Sequence, residues 1–272
     1  MNTLDLLFER KKENLLALYF TAGFPKRESL NEIIASLQQS ETDIIEIGIP
    51  FSDPMADGVV IQQSSKAALE NGMTIDLLFE QLKKIESRIP LVIMTYFNPV
   101  FKFGFEKFCR LCQEHGISGL IIPDLPLIEY KNHYKTFYEK YQLKFIPLVC
   151  PNTGEERIRS LCETATGFVY MVSGNQITGT IQGRETEGEG QAGKKRNSIK
   201  DVMKYAQRKP VLMGFGINSA QKFANACETV NGGIIGSAYI ECLSKNQNNI
   251  QKATINFVKK IKQEVYDHPA AP

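Results

Sequence analysis

The feature that most constrains this chain is an alternation. Short apolar runs rich in β-branched residues, at 15–20, 44–49, 91–96, 119–123, 143–149, 167–172, 211–215 and 233–236, are each followed by residues at helical spacing. A strand returned by a helix to a neighbouring strand must run parallel to it. About eight such units close a (β/α)8 TIM barrel, and 272 residues is a length at which that barrel forms one domain. The competing open, doubly wound sheet is weakened because no strand-linked G-x-G-x-x-G opens the chain. Leu4, Leu7 and Phe8 predict a helix ahead of the first strand, and helical segments at 59–70 and 74–87 predict extra short helices. The whole chain, 1–272, reads as a single domain with a lid loop at about 173–197 and a disordered tail at about 265–272.

Composition mainly excludes. A formal net charge of +2 with mixed signs gives no chain-wide basic field for nucleic acid or anionic lipid, so an anionic ligand must be held locally. The longest apolar runs, such as 91–94 and 120–123, are far too short for a membrane span. The amino end lacks the apolar core and cleavage site of a signal peptide, which predicts a cytoplasmic protein. Cys109 and Cys112 form a C-x-x-C, but they recur with Phe105 and Phe108 at helical spacing, and no second close pair or histidine cluster completes a zinc site. They read as core residues, and no metal is expected.

The chemistry concentrates between Thr42 and Gly58, in T-D-I-I-E-I-G-I-P-F-S-D-P-M-A-D-G. Its first half is a buried-strand pattern with a carboxylate, Glu46, at its centre. A lone ionised carboxylate among isoleucines carries a desolvation penalty unless its pKa rises or partners satisfy it. With a period of two, Ile44, Glu46 and Gly48 share one face. The following loop, broken by Pro50 and Pro54, carries Asp53 and Asp57. One acid buried on a strand and another on a loop is an arrangement that lets one group give a proton while another takes one. Each alone reads as structural; together they point to chemistry. Asp124 and Tyr170, also at strand ends, would gather at the same barrel mouth.

Two late glycine turns point to a phosphate. Gly214-Phe215-Gly216 and Gly236-Ser237 follow the last two strands, where barrels bind phosphate through backbone N–H groups and a short helix amino terminus. Thr178-Gly179, at the root of the lid, would add a third wall. A glycine turn alone is ordinary; three at one mouth favour a phosphate-bearing substrate.

With these residues placed, the chain resembles the tryptophan synthase alpha chain family. The run from Ile45 to Gly58 matches its I-E-[IL]-G-x-P-F-S-D-P-x-A-D-G, and order and spacing agree from about residue 4 to residue 262. The resemblance implies retro-aldol cleavage of indole-3-glycerol phosphate to indole and glyceraldehyde 3-phosphate, with no cofactor in this chain. It also implies a beta chain partner, dependent on pyridoxal phosphate, that receives the indole within an alpha2beta2 complex. By the same resemblance Glu46 is the acid/base, Asp57 the acid facing the indole N–H, and Tyr170 a tyrosine beside the glutamate. Thr178, Gly179, Gly214, Phe215, Gly216, Gly236 and Ser237 fall at the phosphate cradle, and Tyr19, Ile61, Met94 and Ile121 at the indole pocket.

The chain also departs from that pattern. Val59 stands where the family usually has proline, Gln176 where a glycine is expected, and the lid is longer, more acidic and richer in glycine. Those departures motivate a second reading, a catalytically weak or inactive alpha-type subunit that activates its beta partner. A third is another phosphate-binding barrel enzyme, such as a sugar-phosphate isomerase.

Overall fold

The computed structural model describes residues 2–150, 152–172, 199–214 and 216–267, without the side chains of 264–267. The lid at 173–197 and residues 268–272 lie outside this set; residues 265–267, expected in the tail, end the helix Ile250–Asp267. Among the described residues all strands are parallel and belong to one sheet: β1 (Leu15–Thr21), β2 (Ile44–Gly48), β3 (Leu91–Met94), β4 (Ile117–Ile121), β5 (Lys144–Phe145), β6 (Leu148–Val149), β7 (Val169–Val172), β8 (Val211–Gly214) and β9 (Gly232–Ile235). Their order is β5-β4-β3-β2-β1-β9-β8-β7-β6. The two ends of that order, β5 and β6, are halves of one run interrupted at Ile146-Pro147. β5 pairs with β4 and β6 with β7, so the sheet returns on itself and the nine strands make an eight-membered TIM barrel. The interruption has a local cause: Pro147 has no N–H to give the ladder, yet its carbonyl still accepts from Tyr170 N at 3.0 Å.

Every residue of β1, β2 and β4 is buried, as strands covered on both faces must be. Each fully buried Ile or Leu there contributes roughly 1.5–3 kcal/mol. The expected helix Val59–Glu70 forms with the anticipated bounds, whereas the segment expected at 74–87 is helical only over Ile75–Leu82. A further helix, Phe97–Phe103, was not anticipated, because Asn98-Pro99 reads as a stop. Proline in a first helical turn is tolerated, since the N–H groups there have no intrahelical acceptor.

The amino-terminal helix, Thr3–Arg10, is capped by Asn2, whose side chain accepts from Leu4 N at 3.0 Å. The same side chain donates to Ser118 O and Gln142 O at 2.8 and 2.9 Å, and Asp5 pairs with Lys144 at 2.7 Å. Ser118 and Lys144 sit where β4 and β5 begin, so this helix covers the amino ends of the strands. Access to the interior is from the carboxyl ends. Among the described residues no helix is long and apolar enough to cross a membrane.

Candidate active site

A cavity of about 430 Å³ opens at the carboxyl ends of the strands. Its floor is made by Glu46, Tyr19, Tyr170 and Met94 from β2, β1, β7 and β3, and one wall by Asp57 and Ile61. The opposite end is formed by Gly216, Asn218, Gly236, Ser237 and Ala238. Residues distant in sequence are gathered here because all parallel strands end at one rim.

Glu46 is 1% exposed and is paired in register with Tyr19 of β1 and Val92 of β3. Both Oε1 and Oε2 are buried and make no hydrogen bond. Burial, and then the nearby Asp57 charge, push its pKa up to about 8. Such a group holds a proton at neutral pH and can release it to a base placed in the cavity. Asp57, at the foot of helix Val59–Glu70, is raised by burial to about 6, with a Tyr96 hydrogen bond opposing the rise. The two titrate as a pair, with Glu46 the later to ionise. A proton on Glu46 and a charge on Asp57 is therefore the state favoured near pH 7.

Two glycines make room for the tyrosines. A Cβ on Gly48 would collide with the Tyr19 ring and hydroxyl, and one on Gly214 with the Tyr170 ring and hydroxyl. Gly214, expected at the phosphate, does not itself line the cavity; what the structure shows for it is this close approach to Tyr170. Ile121 is likewise fully buried behind the floor, paired in register with Met94. Thr178, Gly179 and Phe215 lie outside the described residues.

The glycine end is a backbone site. Gly216 has φ +77°, a conformation that favours glycine. Helix Ser237–Lys245 starts at Gly236, and its first intrahelical bonds run from Tyr239 N and Ile240 N to Gly236 O, both 2.9 Å. The amides of Ser237 and Ala238, ahead of those bonds, belong to residues lining the cavity, and a helix amino terminus favours an anion.

Sequence reasoning missed three residues here. Tyr96, just beyond β3, accepts from Ala56 N at 3.0 Å and packs against Phe51 with ring centroids 5.2 Å apart and the rings tilted by 31°, which fixes the loop that carries Asp57. Thr21 and Ser64 join β1 to helix Val59–Glu70 through a 2.7 Å hydroxyl contact. For Tyr96 and Thr21 the position at or just after a strand end, on the mouth side, was the available signal; Ser64, inside its helix, gave none. Asp124, by contrast, accepts from Phe97 N at 2.8 Å and so holds the start of helix Phe97–Phe103. Among the described residues no group of acidic, histidine and cysteine side chains could hold a metal ion.

Comparison with known proteins agrees with this geometry. The sequence profile of the family described as tryptophan synthase alpha chain matches residues 7–268. The tryptophan synthase alpha chain of Bacteroides fragilis is 46% identical over 250 residues, covering 91% of this chain and 92% of that one. The solved structure of tryptophan synthase subunit alpha from Legionella pneumophila superposes with a TM-score of 0.85 at 27% identity, covering 98% of this chain and all of that one (100%). A chain of the tryptophan synthase complex from Pyrococcus furiosus superposes with a TM-score of 0.80 at 27% identity, over 93% and 99% of the two chains.

Proposed function

This chain belongs to the tryptophan synthase alpha chain family, a family of lyases, and from that premise we propose that its cavity cleaves indole-3-glycerol phosphate to indole and glyceraldehyde 3-phosphate. The observation that carries the proposal is Glu46: a buried carboxyl with no hydrogen-bond partner, beside a second acid, in a cavity whose far end presents helix amides.

The reaction moves one proton and breaks one carbon–carbon bond. Protonated Glu46 delivers its proton to indole C3, and the positive charge that develops on the ring is stabilised by ionised Asp57 near the ring N–H. The hydroxyl on the adjacent side-chain carbon then loses its proton to Glu46 and becomes the aldehyde. The electron pair of the breaking bond returns to the ring, and indole leaves. Glu46 ends as it began. A pKa near neutrality suits a group that both gives and takes within one turnover. Tyr19, Ile61 and Met94 supply apolar contact for the indole, and Gly216, Gly236 and Ser237 bind the phosphate. No step calls for a cofactor in this chain.

We further read the chain as the alpha partner of a beta chain that uses pyridoxal phosphate, in a cytoplasmic alpha2beta2 complex. Met55, Phe101 and Ile128 are large apolar side chains left exposed after β2, β3 and β4, three adjacent strands, and so share one stretch of the rim. An apolar rim patch suits a protein partner. The test is release of both products from indole-3-glycerol phosphate by the purified chain, alone and with its beta chain. Slow turnover that rises with the partner is expected; no turnover in either condition overturns the proposal.

A further inference from the structure

The hydroxyl of Tyr19 has a place in this site that its role as an apolar wall does not use. Its surroundings fix the direction of a short hydroxyl chain. Ser64 Oγ donates its one proton to Ile61 O at 2.8 Å. The 2.7 Å contact between Thr21 Oγ1 and Ser64 Oγ must then be donated by Thr21. With Thr21's proton committed, the contact between Tyr19 Oη and Thr21 Oγ1 can only be donated by Tyr19, and at 3.4 Å it is well beyond the usual O–H···O length. Tyr19 thus carries a buried hydroxyl proton that is weakly held.

That proton lies on the path of the acid. Tyr19 and Glu46 are partners in register, and the Tyr19 hydroxyl sits over Gly48, where a Cβ would collide with it. Gly48 is the next residue on Glu46's own face of β2, about 6.6 Å along the strand, within reach of a glutamate side chain extended that way. The remaining titratable groups that face Glu46 are Asp57 from the loop and Tyr170 from β7; no Lys, Arg or His lines the cavity among the described residues. Once Glu46 gives its proton away it is a buried anion beside another acid, and a donor within reach is what such an anion requires.

We propose that the Tyr19 hydroxyl is the hydrogen-bond donor that receives the Glu46 carboxylate after it has released its proton, which makes Tyr19 a positioning residue for the acid as well as a wall of the pocket. The inference rests on the lyase reading for its place in the reaction, but the contact it names is one that the ionised carboxylate would make without any ligand. Tyr19→Phe removes the hydroxyl and little else. Infrared titration of the Glu46 carboxyl, identified by its loss in Glu46→Gln, should then move up by about 1 to 2 pH units, the worth of a hydrogen bond to a charged group. The alkaline limb of indole release should move by the same amount, with KM nearly unchanged. Thr21→Val spares the Tyr19 hydroxyl and should leave the titration of Glu46 in place. An unchanged titration in Tyr19→Phe, or a move to lower pH, overturns the inference. A titration that moves in a protein releasing no indole would reject the lyase reading and keep the contact.

Discussion

The two ends of the cavity solve opposite problems with opposite materials. The acid end is made of side chains on the strands and their loops: Glu46 on β2, Tyr19 on β1, Tyr170 on β7, with Asp57 held through Tyr96. The glycine end is made of backbone at turns, with Gly216 in a left-handed conformation and a helix amino terminus at Gly236. Chemistry needs groups whose proton affinity is shifted by burial, and only buried side chains provide that. Holding a phosphate needs many fixed donors and no proton transfer, which backbone amides provide. Substitutions at one end should therefore act on rate, and at the other on binding.

The largest expected effect tests the acid end. Glu46→Gln keeps the shape and removes the transferable proton, and kcat should fall by about 10³-fold, the scale of a lost general acid and base. Single-turnover indole release measures it. A variant that retains near-normal kcat would remove Glu46 from the mechanism.

The pH profile of kcat/KM follows from the two carboxyls. In the proposed reaction Glu46 acts protonated, so rate should be lost as pH rises through about 8; Asp57 acts ionised, so rate should be lost as pH falls through about 6. Beyond either limit the decline should approach about tenfold per pH unit. Stability carries the same sign for Glu46. Its folded pKa is raised, so its contribution is fully present below the ordinary glutamate pKa and is lost as pH rises through about 8. Chemical denaturation should find Glu46→Gln more stable than the parent at pH 9 and nearly level with it at pH 4.5. A flat profile, or the reverse order of stabilities, would undo the assignment.

At the glycine end the effect is smaller and of another kind. Gly216→Ala forces a Cβ into a φ of +77°, at a cost of about 1–2 kcal/mol. KM should rise by about tenfold with kcat retained. A fall in kcat instead would mean that the two ends are not separable. The smallest effect sharpens the contrast among acids. Asp124→Ala loses the bond to Phe97 N, and thermal unfolding should register about 1 kcal/mol while kinetics stay unchanged.

Much of this was legible in the sequence, and what was not has physical causes. The alternation of elements and the isolated acid at Glu46 both follow from local pattern, and so did the bounds of helix Val59–Glu70. The break between β5 and β6 was not read from Pro147, because proline at a sheet position has several outcomes that only the neighbouring strands decide. Gly48 was read only as a member of a strand face and Gly214 only as part of a turn, whereas their structural consequence is the space they leave for Tyr19 and Tyr170 on other strands. The Thr21–Ser64 contact joins residues 43 apart, and nothing local announces it.

The division between the two ends is tested most directly by the affinity of Glu46→Gln for indole-3-glycerol phosphate, which that variant should bind without consuming. A Kd within about threefold of that of a non-cleavable indole phosphate analogue on the parent protein is expected, since the amides proposed to hold the phosphate and the proposed indole pocket are untouched. Loss of binding together with turnover would contradict it, and would mean that the acid holds the substrate rather than carrying its proton.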